Sequence, residues 1–123
     1  MSTSVRGIRG AVTVKENSTE AILNATKDLM KQIVERNHLQ PEDVVSVLLT
    51  MTPDLTACFP AKAVRSFPGW QWVPLMCASE VAVEGALEHC IRVLVHVNTD
   101  KAQSEMIHVY LGEAVRLRPD LAG

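Results

Sequence analysis

The sequence predicts an α+β (α/β-like) domain in which about five strands pack against one long helix, with short helical turns between them. Three observations carry that prediction. Residues 17–36 repeat their apolar side chains at the helical period. Several other segments alternate as strands do, or run apolar and β-branched. A hydrophobic content of 47% over 123 residues supports one core, so residues 1–123 are read as a single domain. Only 4% of the chain is aromatic, and the core is therefore expected to be aliphatic.

In order, residues 5–14 alternate as a strand: Ile8, Val12 and Val14 face one way, and Val5, Gly7, Arg9, Ala11 and Thr13 the other. Gly7 and Gly10 flank Arg9, and glycines inside a strand point to the close approach of another backbone or a ligand. Asn17 is the expected helix N-cap, with Glu20 three residues on. Ile22, Ala25, Leu29 and Ile33, widened by Met30 and Val34, form the helix's core-facing stripe, and Asn37 and His38 end it. Residues 44–50 are nearly all apolar and read as a central strand covered on both faces. Pro60 opens a short helix seated by Ala61, Val64 and Phe67, from which Lys62 and Arg65 project together. Residues 70–77 read as another strand, an edge or bulged one because Pro74 has no amide hydrogen. Residues 78–90 read as a loop with one helical turn at most. Residues 91–97 form a strand, Ser104 and Glu105 a short helical turn, 107–111 an extended segment, and 115–118 a last short strand.

Charge and cysteine usage narrow the function. The formal charge is −2 with no lysine-rich run, which argues against nucleic acid or an anionic membrane as partner. No signal peptide and no membrane-spanning run are recognisable. Three cysteines, Cys58, Cys77 and Cys90, lack metal-ligand spacing and read as reduced thiols of a cytoplasmic protein. No phosphate-cradling glycine loop and no nucleophile elbow are present, and the four histidines are scattered.

What stands out is arginine inside strands. Arg92 shares a face with Leu94, His96 and Asn98, and an arginine in mid-strand is costly unless the face is solvated or an anion meets it. Arg9 poses the same question between its two glycines. With Glu80, Tyr110 and no nucleophile–base pair, these arginines suit an anionic metabolite, handled by electrostatics and positioning without covalent chemistry. On the residues alone, Cys77 reads as a small buried apolar residue and Glu80 as an exposed loop carboxylate.

The motifs R-G-I-R-G-A at 6–11, T-P-D-L at 52–55, F-P-A-K-A-V-R at 59–65, G-W-Q-W-V-P at 69–74, C-I-R-V at 90–93, H-V-Y-L at 108–111 and L-R-P-D-L at 117–121 run in order along nearly the whole chain. Together they closely resemble the monofunctional AroH-class chorismate mutases. That resemblance implies an isomerase that converts chorismate to prephenate by a Claisen rearrangement, in the shikimate route to phenylalanine and tyrosine. It further implies a mixed sheet, a homotrimer with active sites between neighbouring subunits, no cofactor and no metal.

Residue by residue, the resemblance puts Arg92 at the substrate's ether oxygen and Glu80 at the ring hydroxyl, with Cys77 beside it. Arg9 and Tyr110 would hold the carboxylate of the enolpyruvyl side chain. Phe59, Ala61, Leu75 and Leu117 would supply apolar walls, with Met76 at a position where relatives carry a small polar residue. Lys62, Arg65 and Arg118 would attract and enclose the chorismate dianion. The implied division draws Arg9, Arg92 and Tyr110 from one subunit and Phe59, Arg65, Cys77 and Glu80 from its neighbour. Two other classes fit arginines that clamp carboxylates: an imine deaminase of similar trimeric shape, whose motifs are absent, and a sensor that binds chorismate without consuming it.

Overall fold

The structure, a computed structural model, describes residues 3–117. Its centre is a pair of long antiparallel strands, β1 (Ser4–Thr13) and β4 (Cys90–Thr99), in register over their full length. Strand β2 (Val44–Met51) pairs antiparallel with the other edge of β4. Two short strands complete the sheet: β3 (Leu75–Ser79) runs parallel to β2 and β5 (Val109–Leu111) parallel to β1. The order is β3-β2-β4-β1-β5, a mixed five-stranded sheet. Helix α1 (Thr19–Asn37) connects β1 to β2, and α2 (Ala61–Arg65) lies in the connection from β2 to β3. Such crossovers are what strands running in the same direction require.

Both helices lie on one face of the sheet. There Ile8 and Val12 of β1, Val47 and Leu49 of β2, and Ile91, Val93, Val95 and Val97 of β4 meet Ile22, Leu29, Met30 and Ile33 of α1 in one aliphatic core. Gly10 is explained here. A Cβ at that position would stand 2.8 Å from the Ile33 Cδ1 atom and 3.1 Å from both the Leu29 Cδ1 atom and the Val109 carbonyl, so helix α1 and the backbone of β5 both approach this glycine.

Several local expectations are corrected. Ser18, not Asn17, caps α1 by accepting the Ala21 amide at 3.1 Å. The Asn17 side chain instead accepts the Thr56 and Ala57 amides, tying the helix start to the loop before α2. Residues 70–74 are not strand. Trp70–Trp72 is a 3-10 turn that begins after Gly69 at φ +85°, and Trp70 is turned inward edge-on to Phe67. Trp70 and Val73, three apart, are the buried pair, a spacing that a strand would place on opposite faces. Strand β3 begins only after Pro74, on the sheet's edge, and residues 80–89 after it are the expected loop.

The segment 115–117 is likewise not a strand. Gly112, at φ +61°, turns the chain out of β5 into the 3-10 turn Gly112–Leu117, which buries Ala114. β5 is shorter than expected because side chains replace its ladder. His108 Nδ1 accepts the Arg9 amide at 2.9 Å, and Asn37 bonds both the amide and the carbonyl of Ile107. Finally, β2 is covered on one face only: Ser46, Leu48 and Thr50 are half-buried on the side away from the helices.

Candidate active site

The candidate site lies on the face of the sheet opposite the helices. Cross-strand partners point to the same side, and the register places Arg9 opposite Leu94, Ala11 opposite both Arg92 and Tyr110, and Arg92 opposite Thr50. These residues, with Leu48, Val93 and Leu117, line an open cleft of about 270 Å³. Its lining residues Tyr110 and Leu117 pack against a small buried cluster of Ala11, Cys90 and Ala114.

Arg92, which lines the cleft, is paired: its Nε lies 3.1 Å from Glu80 Oε2. The same oxygen accepts the Thr50 hydroxyl at 2.6 Å. The Glu80 side chain is 15% exposed and that of Arg92 45%, so the carboxylate is sheltered while the guanidinium still reaches the cleft. The chain positions Glu80 through β2 as well: its amide donates to the Met51 carbonyl at 2.9 Å as the chain leaves β3. This is the anionic partner that a mid-strand arginine demands. It also corrects the expected division of residues, since Glu80 reaches Arg92 within one chain.

The T-P-D segment fastens the start of the strand that carries Arg92. Thr52 Oγ1 accepts the Cys90 amide at 3.0 Å, and the Asp54 carboxylate accepts the His89 amide with both oxygens. His89 sits at φ +50°, a conformation uncommon for a non-glycine residue. Partial burial opposes ionisation of Asp54, but the Thr52 hydroxyl and the His89 amide and ring outweigh it and hold the carboxyl below its ordinary value. Burial pushes the Cys90 thiol up to about 11, with the nearby Arg92 charge only partly offsetting it. Cys90 therefore lies behind Arg92 as a neutral thiol.

The remaining expected residues fall elsewhere in the chain. Leu75 and Cys77 oppose Val47 and Leu49 and pack against the core on the helix side of the sheet, whereas Met76 opposes Leu48 on the cleft side and is exposed. Ala61 is buried in the core. Phe59, Lys62 and Arg65 line a separate depression of about 380 Å³ beside Met51, Thr56, Ala57 and Cys58. Arg118 lies outside the described residues. The sequence reading missed Thr50 and Leu48. The signal was present in the alternation of Ser46, Leu48 and Thr50, two of them polar, within a run read as covered on both sides. Among the described residues, no three His, Cys, Asp or Glu side chains are grouped to hold a metal, and no helix is long and apolar enough to cross a membrane.

Comparison with known proteins agrees with this geometry. The family model for chorismate mutase type I matches residues 5–121. The chorismate mutase AroH of Bacillus subtilis (strain 168) is 55% identical over 118 residues, 96% of this chain and 93% of that protein. The chorismate mutase AroH of Thermus thermophilus is 52% identical over 118 residues, 95% of this chain and 96% of that protein. Among solved structures, a chorismate mutase from Clostridium thermocellum superposes with a TM-score of 0.85 at 47% identity, over 88% of this chain and 96% of the other. A family model spanning nearly the whole chain, two relatives more than half identical and a shared fold lead to one conclusion: this chain belongs to the type I chorismate mutases.

Proposed function

We propose that the open face of the sheet is where this chorismate mutase converts chorismate to prephenate, with the Arg92–Glu80 pair as its electrostatic centre. The rearrangement breaks a C–O bond and forms a C–C bond within one molecule, with no proton to transfer and no bond to the enzyme. The protein lowers the barrier by holding the compact conformer and by stabilising charge that separates in the transition state. Arg92 meets the ether oxygen, where its attraction strengthens as that oxygen becomes more negative. Glu80 meets the ring hydroxyl, and Arg9 and Tyr110 hold the enolpyruvyl carboxylate. The observation that carries this reading is that Arg92, which lines one cleft together with Arg9 and Tyr110, is paired at 3.1 Å with the Glu80 carboxylate.

The complete site is an interface of a homotrimer. One subunit supplies Arg9, Met76, Glu80, Arg92, Tyr110 and Leu117, and the neighbouring subunit supplies Phe59, Lys62, Arg65 and Cys77, with Ala61 and Leu75 as apolar walls. Arg118 encloses the dianion. Two observations support the division: the cleft is open, and Phe59, Lys62 and Arg65 line a different depression of the same chain. Phe59 is 71% exposed and Met76 68%, apolar surface that a neighbour would cover. Unpaired thiols at all three cysteines fit a cytoplasmic enzyme.

Mixing purified protein with chorismate and following loss of its diene absorbance tests the activity. Binding without consumption would turn the reading into that of a sensor. Light scattering at micromolar concentration should give the mass of a trimer, and an active monomer would overturn the division of the site.

A further inference from the structure

We infer that Thr50 is a positioning residue for the reaction, keeping Glu80 from closing fully onto Arg92. This rests on the reading of Glu80 and Arg92 as the charges that meet the substrate. Glu80 sits where the chain leaves an edge strand, and residues 81–86 beyond it are all exposed, so little packing fixes it from that side. Besides its ion pair with Arg92, two hydrogen bonds hold it, both from β2: its amide to the Met51 carbonyl, and its carboxylate to the Thr50 hydroxyl. Thr50 is itself fixed, because it lies inside β2 directly opposite Arg92.

The atoms involved give the hydroxyl its purpose. Thr50 Oγ1 and Arg92 Nε converge on the same carboxylate oxygen, Oε2. One oxygen is thus occupied from two sides and the other is left for a ligand's hydroxyl. The guanidinium is engaged through Nε, leaving its Nη groups for the ether oxygen. An arginine and a carboxylate left to themselves favour a two-pronged pairing, which would engage both Glu80 oxygens and neutralise the cation that the transition state needs. A serine or threonine hydroxyl is the smallest side chain that can donate to Oε2 from a neighbouring strand.

The test is a double-mutant cycle in chorismate turnover. Thr50→Val keeps the shape and the strand preference but removes the donor. It should lower kcat about tenfold or more with KM within about threefold, the size expected for a hydrogen bond to a charged group. Thr50→Ser should return kcat to within about twofold of the parent, which a purely packing role would not do. In a Glu80→Ala background, which removes the acceptor, Thr50→Val should change kcat less than about twofold, because its effect passes through the carboxylate. Thr50→Ala serves as a second donor-free variant, and melting temperatures confirm that each protein compared is folded. Near-parent kcat in both donor-free variants, or an equal loss in both backgrounds, overturns the inference. Unchanged activity of Glu80→Ala alone would instead overturn the reading of Glu80 on which the inference stands.

Discussion

The two faces of this sheet are built from the same strands and obey opposite rules. On the helix side, β1, β2 and β4 present Ile8, Val47, Leu49, Val93 and Val95, each at most 3% exposed and packed against α1. On the other side, residues one position away on the same strands are Arg9, Thr50 and Arg92, open to a cleft, with Thr50 and Arg92 held by a hydrogen bond and an ion pair to Glu80. The first face supplies stability, since each fully buried aliphatic side chain contributes about 1.5–3 kcal/mol. On the proposed function, the second draws on rigidity that the first provides, because an arginine stabilises a transition state only if its backbone does not move. One strand thus serves both purposes, at a period of two.

Substitutions on the two faces should therefore separate activity from stability. The largest effect on activity is expected at Arg92. Replacing it with a neutral isostere should lower turnover by at least roughly two to three orders of magnitude, with far less effect on substrate affinity. Arg92→Lys should restore little, because an ammonium lacks the fork geometry and the reach. Kinetics on protein shown to be folded and trimeric check this, and turnover within about tenfold of the parent would remove Arg92 from the catalytic role.

Leu29→Ala, on the helix face, should do the reverse. A fully buried leucine cut to alanine costs about 2–5 kcal/mol of stability in denaturant unfolding, while kcat per folded site stays near the parent's. A matching loss of kcat in folded protein would mean that the two faces are not separable.

Cys90 belongs to the cleft face yet is buried, and it gives a smaller effect that depends on pH. Its folded pKa is raised to about 11, so the folded state holds a proton that the unfolded chain releases earlier. The associated stability is complete below the unfolded thiol's pKa, about 8.5, and is lost as pH rises toward about 11. Melting temperature should fall over that alkaline window in the parent and fall less in Cys90→Ala. Equal slopes for the two proteins would show that the thiol does not ionise with unfolding.

The smallest change is expected at Cys77, on the helix side of the edge strand. Cys77→Ser and Cys77→Ala should keep substantial activity, because only packing and a weak polar contact change. Inactivation together with a trapped adduct in mass spectrometry would instead indicate a covalent mechanism.

Much of this was legible in the chain. Helix α1 and strands β1 and β4 repeat their patterns long enough for period alone to identify them, and the arginines of β1 and β4 drew attention because charge in mid-strand is costly. Short elements were less legible. The stretch at 70–77 mixes aromatic and β-branched residues that favour a strand with a glycine and a proline that break one, and the inward turn of Trp70 against Phe67 decided it. At the start of α1, Asn17 and Ser18 are both good caps, and the loop at Thr56 and Ala57 decided between them by engaging Asn17.

By itself, the sequence determined which residues alternate, where the long helix lies and that two arginines sit within strands, because each of these is set by neighbours a few positions away. The tertiary structure alone decided that Glu80 is the anion at Arg92 and that Thr50 holds it. Thr50 and Glu80 are 30 residues apart and meet because β3 folds back parallel to β2, placing the end of one strand beside the end of the other. No local period encodes such a meeting. Strand order does, and it is chosen by how the whole core buries its apolar face.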